Sequence, residues 1–437
     1  MNNDRQFGFR TRALHAGTPP DPSTGSRALP IDLTTSFVFD SVAHAKELFS
    51  LRAYGNIYTR ISNPTVSAFE EKIASLESGL GAVATASGQA AQVVAILTLA
   101  QAGDHLVSSS NIYGGTVTQF AVTLRRLGIE TTFVAGGDPQ AIAAAIRPNT
   151  RAVFAETIGN PSGNIADIAA LAQAAHGAGV PLIIDNTFAT PYLCRPIEHG
   201  ADIIVHSATK FIGGHGTTIA GVLVESGKFQ WTAKRHPLLT EPSPSYHGVP
   251  FADTFGEFAF LTRARAEVMR DLGACLSPMN AWLLIQGLET LPVRMQAHVE
   301  NAVAIAQFLE GHESVAWVKY PGLGSSEYQP LVRKYLPLGA GSIFTFGARG
   351  GRAAGERFIE ALQLWSHLAN VGDAKSLVIH PASTTHSQLN DDELVAAGIT
   401  PDMIRLSVGL EDVDDLIWDL EQGLKAARAA RTPAGAV

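Results

Sequence analysis

The chain has 437 residues, enough for two or three domains and a large core. Hydrophobic residues make up 46% and charged ones only 16%, which excludes a disordered chain. The net charge of −8, with no long basic run, argues against a nucleic-acid or anionic-membrane partner.

The two cysteines, Cys194 and Cys275, cannot build a disulfide framework. The opening MNNDRQFGFRTR has no apolar core of a secretory signal. No apolar run reaches the ~18 residues needed to span a bilayer. A cytoplasmic location is therefore expected.

Residues 1–65 read as an extended arm, because Pro19, Pro20, Pro22 and Pro30 break any helix there. One short helix fits 43–51. Near the end of the arm Tyr58 and Arg60 flank a threonine, so they share a face if the chain is extended. Asn63-Pro64 signals a turn. Taken alone, Tyr58 and Arg60 read as a solvent-facing edge. From Thr65 a helix carries Phe69, Ile73 and Leu76 at helical spacing.

Residues 82–224 alternate strand and helix. The predicted strands are Ala82–Thr85, His105–Val107, Thr131–Val134, Ala152–Ala155, Leu182–Ile184, Ile203–Val205 and Val222–Val224. Apolar strands alternating with alanine-rich helices, such as Ala90–Ala102 and Pro139–Ile146, mean a mostly parallel sheet of seven strands covered on both faces.

The strand ends carry the chemistry. After the first strand, Ser87 is a candidate N-cap, and Gly88 and Gln89 expose backbone amides that suit a phosphate. Tyr113 sits beside Gly114 and Gly115 after the second, and Asn160 lies in a turn-rich loop beyond Glu156. Asp185 ends the apolar strand Leu182–Ile184, two residues before Thr187. Alone it reads as a cap or turn residue. The strand Ile203–Val205 runs into Ser207, Thr209, Lys210 and a turn with glycines at 213, 214 and 216. A lysine there ordinarily snorkels to water. The glycines, however, let a ligand approach, and a partly desolvated lysine forms Schiff bases. A Schiff-base lysine and an acid for a ring nitrogen are what pyridoxal phosphate requires.

Residues 225–270 break the rhythm with Trp231, several prolines and Phe251, Phe255, Phe258 and Phe260, as an aromatic insertion does. A long helix spans Leu272–Leu309, interrupted near Pro278 and Pro292. A smaller C-terminal domain follows, with strands at Gly341–Phe346 and Met403–Val408 and a helix from Ala353 to Leu364. Arg405 lies within the last strand, where a buried guanidinium needs either an internal salt bridge or a ligand carboxylate. After Leu424 the tail is alanine-rich and expected to fray. The expected division is an arm (1–65), a large cofactor domain (66–280, insertion 225–270) and a C-terminal domain (281–437).

Some motifs are set aside. Gly221–Lys228 has one residue too many for a P-loop, and Phe229 stands where Ser or Thr is needed. Gly347–Gly355 lacks GxGxxG spacing, so a nicotinamide dehydrogenase is disfavoured. The fourteen histidines show no zinc pattern, and no metal is expected.

The runs IIDNTFATPY and HSATKFIGGHGT resemble the Cys/Met-metabolism group of pyridoxal-phosphate enzymes, from about Thr11 to about Leu424. Within that group the chain is most similar to the O-acetylhomoserine sulfhydrylases. The resemblance implies the aspartate-aminotransferase-like fold, fold type I. It implies that Lys210 carries the cofactor, Asp185 faces its ring nitrogen and Tyr113 stacks on its ring. Asn160 touches the ring oxygen, and Ser87, Gly88 and Gln89 cradle the phosphate with Ser207 and Thr209. Thr187 joins the cofactor set. Tyr58 and Arg60 reach in from a neighbouring subunit, in a homo-oligomer expected to be a tetramer built from dimers. Arg405 takes the substrate α-carboxylate, with Ser376 and Ser383 nearby, and Asn160 and Tyr58 are further substrate contacts. Lys210, Tyr113 and Tyr58 are the expected catalytic side chains. The implied reaction is γ-replacement, converting O-acetyl-L-homoserine and sulfide to L-homocysteine and acetate. Cystathionine γ-synthase, methionine γ-lyase and O-succinylhomoserine sulfhydrylase activities are the alternatives. The lyases typically show YGCT where this chain has Tyr113-Gly114-Gly115-Thr116, which counts against that branch.

Overall fold

The computed structural model describes residues 5–384 and 398–429. Seven strands form the large sheet: β1 Gly81–Thr85, β2 His105–Ser109, β3 Glu130–Val134, β4 Thr150–Glu156, β5 Leu182–Asp185, β6 Ile203–His206 and β7 Gly221–Glu225. Each lies within two residues of its predicted ends. Their order is β1-β7-β6-β5-β4-β2-β3, and β7 alone runs antiparallel to its neighbours.

Both faces of this sheet are buried, as the continuous apolar strands require. Ile183, Ile203 and Val205 face one cluster, which includes Val94 and Ile96 of helix α4 (Gly88–Leu99). Ile184 and Ile204 face the other, with Phe69 and Ile73 of helix α3 (Pro64–Glu77). The start of α3 is set by Asn63, whose side chain accepts from the amides of Thr65 and Val66, with Pro64 at the first helical position.

A second sheet of five strands comprises β8 Val315–Lys319, β9 Ile343–Ala348, β10 Ser366–His367, β11 Leu377–Ile379 and β12 Met403–Ser407, in the order β10-β11-β12-β9-β8. The sequence reading found β9 and β12 but not the other three. β10 has two residues and β11 three, too short for periodicity, and β8 is half exposed.

Three expectations change. The arm is not uniformly extended. Helix α1 (Phe9–His15) packs on the body, with Phe9 edge-on to Tyr192, and buried Lys72 of α3 donates to the Ala13 carbonyl. The long helix is not interrupted at Pro292. It runs unbroken from Pro278 to Glu310, and Pro278 serves as its first residue. A proline within a helix disturbs the carbonyls of the preceding turn. The helix continues past the missing amide, and beyond it Arg294 donates Nη2 to the Gly287 carbonyl at 2.6 Å and Nη1 to the Phe211 carbonyl at 2.8 Å. The 225–270 segment is not a loop but a run of short helical turns. Leu239, Phe251 and Phe260 pack into the sheet's α4-side cluster, and Trp231 stacks on Phe260. Among the described residues, no helix is long and apolar enough to cross a membrane.

Candidate active site

A cavity of about 330 Å³ opens where β1, β4, β5 and β6 end, which is where open α/β sheets bind ligands. It is lined by Ser87, Gly88, Gln89, Tyr113, Asn160, Asp185, Thr187, Ser207, Thr209, Lys210 and Arg405, so eleven predicted residues meet at one place.

Lys210 sits one turn beyond β6. The Lys210 amide donates to the Ser207 carbonyl, and the Gly214 amide donates to the Lys210 carbonyl. Burial, and then the charge of Arg405, push the ammonium down to about 8. Its Nζ donates to Oδ1 of Asn370. Asp185 is buried at the end of β5. One carboxylate oxygen accepts from Gln92 Nε2 at 3.1 Å, and the other from the Thr187 amide at 2.9 Å. Burial raises its pKa, while the Thr187 bonds pull the other way. Beside it in the sheet, Glu156 pairs in register with Asp185 and accepts from the Tyr113 amide. Burial and the neighbouring Asp185 raise its pKa well above the usual range.

Ser87 caps α4, its hydroxyl accepting from the Ala90 amide. That leaves the hydroxyl proton and the first amides of α4 for an anion. The Thr187 hydroxyl accepts from the Ser207 amide. Thr209 is partly committed, since its hydroxyl donates to the Ala220 carbonyl and accepts from the Ala220 amide. Arg405, on β12, crosses to the cavity and donates to Asn160 Oδ1 at 3.3 Å. Among the described residues no carboxylate pairs with it, so of the two readings of this arginine the internal salt bridge is absent.

Some predicted residues stand elsewhere. Ser376 is fully buried away from the cavity. Its hydroxyl donates to Glu411 and accepts from the Gly409 amide, and it is not part of the cavity wall. Ser383 donates to Glu356 instead. Tyr58 and Arg60 do not line the cavity of their own chain. The Arg60 guanidinium stacks over the Tyr58 ring, 4.9 Å from its centroid.

The structure adds Gln92 and Asn370. Gln92 is three residues beyond Gln89, one turn on along the same helix face. That spacing could have found it. Asn370 precedes Val371-Gly372, a strap laid across Lys210. A Cβ on Gly372 (φ +72°) would meet the Phe211 amide nitrogen at 2.7 Å, so the close approach needs glycine.

These residues fit pyridoxal phosphate. Asp185 is a buried acid that pairs with no cation among the described residues, as a ring N–H requires. A helix N-terminus with spare hydroxyls suits the phosphate, and among the described residues Lys210 is the one amine on the wall.

The sequence profile described as "Cys/Met metabolism PLP-dependent enzyme" matches residues 10–425. A homocysteine synthase from Schizosaccharomyces pombe is 53% identical, over 96% of this chain and 98% of that protein. An O-acetyl-L-homoserine sulfhydrylase from Leptospira meyeri is 49% identical, over 96% and 97%. A Campylobacter jejuni crystal structure, described as an O-acetylhomoserine (thiol)-lyase with a pyridoxyl-lysine phosphate, superposes with a TM-score of 0.93. It is 41% identical, over 96% of this chain and all of that one. Fold, cavity and sequence agree that the chain belongs to the Cys/Met-metabolism family of pyridoxal-phosphate-dependent enzymes.

Proposed function

We propose that the chain converts O-acetyl-L-homoserine and sulfide to L-homocysteine and acetate. The observation that carries this reading is Arg405. It is a guanidinium with no carboxylate partner among the described residues, on the wall of the same cavity as Lys210. A planar fork suits the α-carboxylate of an amino acid bidentately. The ester and the sulfur donor are those that the relatives' names indicate.

When bound, pyridoxal phosphate supplies an electron sink for the carbons next to the substrate amine. Lys210 holds it and then, as a free amine, takes the proton from the substrate Cα. Asn370 Oδ1 accepts from that amine and fixes where it waits. Asp185, oriented by Gln92 and Thr187, keeps a proton on the ring nitrogen. Tyr113 covers the ring, Asn160 contacts it, and Ser87, Gly88, Gln89, Ser207 and Thr209 take the phosphate. Arg405 fixes the substrate, so that its ester leaves from a set position. Tyr58 and Arg60 complete the site from a neighbouring chain, in a tetramer built from dimers, acting in the cytoplasm.

The lyase branch is disfavoured at Gly115. A Cβ there would lie 2.4 Å from the Tyr113 ring and 2.8 Å from Gln89 Nε2, so a cysteine would displace both. The test supplies O-acetylhomoserine with sulfide, then with cysteine, then methionine alone. Homocysteine should form fastest, cystathionine slowly, and 2-oxobutanoate hardly at all. Efficient methionine cleavage, or cysteine outcompeting sulfide at equal concentration, places the chain on another branch of the family.

A further inference from the structure

On the sheet face away from the cavity lies a polar hub that the reaction does not use. Asp185 and Val205 are register partners, and Asp185 faces α4 through Gln92. The next residue on each chain, Asn186 and His206, turns to the opposite face. There both meet Glu77, the last residue of α3. Glu77 Oε1 bonds His206 Nε2 at 2.6 Å and accepts from Asn186 Nδ2 at 2.8 Å. Thr157, which follows Glu156, donates to Asn186 Oδ1 at 2.7 Å. All four side chains are fully buried.

The Glu77 carboxylate thus ties the residue after Asp185 to the residue before Ser207 and the Lys210 turn, and through Asn186 it reaches the residue after Glu156. The arrangement is expensive. Glu77 Oε2 and His206 Nδ1 are buried without a partner, and such atoms cost free energy that apolar packing would not. What a polar hub supplies and apolar packing does not is fixed direction. We propose that Glu77 is a positioning residue, which holds the Asp185 strand end and the Lys210 turn in one register for the cofactor.

The inference rests on Lys210 and Asp185 holding that cofactor. The test compares wild-type holoenzyme with Glu77→Gln, which keeps the volume but loses the charge and one accepting oxygen. Lys72→Met, a buried change on the same helix, controls for stability. Glu77→Gln should raise the cofactor dissociation constant at least tenfold and shift the visible absorption of the bound cofactor. It should lower kcat about 10–100-fold with KM for the amino-acid substrate unchanged, because Arg405 stands on the other sheet. Lys72→Met should lower the melting temperature alone. A Glu77→Gln enzyme that is less heat-stable but unchanged in absorption, cofactor affinity and kcat overturns the proposal. Where Glu77→Gln does not fold, Thr157→Val reads the same hub, with the same signs expected and no change in any of them overturning it. A wild-type protein with no cofactor band would instead overturn the assignment of the site.

Discussion

At the scale of single residues, the side chains that meet in the cavity come from positions 87 to 405. Most were legible because each follows a strand that its own apolar run announces. Lys210 and Asp185 stand out as charges at the ends of buried strands, and Arg405 as a charge inside one. Ser376 was misplaced for the opposite reason. It immediately precedes β11, which pairs with Arg405's strand β12, but which way a hydroxyl turns depends on a partner, here Glu411, that sequence spacing does not reveal. Asn370 gave no signal, because its place over Lys210 comes from the strap and not from any period. The low pKa of Lys210 gives a prediction. At pH 8 about half of the amines are unprotonated, against well under a hundredth for an ordinary lysine. The rate of cofactor attachment to the cofactor-free protein should therefore rise with pH through about 8 and then level. In Arg405→Gln, which removes the nearby cation, the midpoint should move to higher pH. A wild-type midpoint near 10.5, or a downward shift in the variant, contradicts the assigned electrostatics.

At the scale of elements, the strands of the large sheet were readable and the helix boundaries less so. Pro292 suggested a break, yet the helix runs through it, its Leu288, Leu291 and Met295 buried in the core, and such packing outweighs one lost hydrogen bond. The arm was half legible. Its prolines forbid long helix, yet α1 binds the body through the buried Lys72. Beyond α1 the arm bares its apolar side chains: Val38 is 98% exposed and Tyr54 95%. The neighbouring chain of the proposed assembly would cover such a surface. If the arm serves a neighbouring site, subunits carrying Arg60→Ala and subunits carrying Lys210→Ala are each inactive, but a mixed dimer regains one intact site. Equal mixing should restore about a quarter of the wild-type activity. Verified subunit exchange without recovery rules out a shared site.

At the scale of the whole molecule, two sheets with different jobs meet at one cavity. The large sheet presents Lys210, Asp185 and the α4 amides, which is the chemistry of cofactor capture. The small sheet presents Arg405, which in the function proposed above takes the substrate carboxylate. The strap through Asn370 and Gly372 joins them: the Gly372 amide donates to the Ser407 hydroxyl on β12, and the Ala374 amide donates to the Gly214 carbonyl beyond Lys210. The sequence announced the large sheet and two strands of the small one but not the strap, since an irregular segment has no periodicity to read. Everything in this account turns on Lys210 carrying the cofactor. Borohydride reduction of the holoenzyme, followed by peptide mapping, tests that directly. The account predicts the pyridoxyl group on the peptide containing Lys210 and on no other. A label on Lys72 or any other lysine would contradict it.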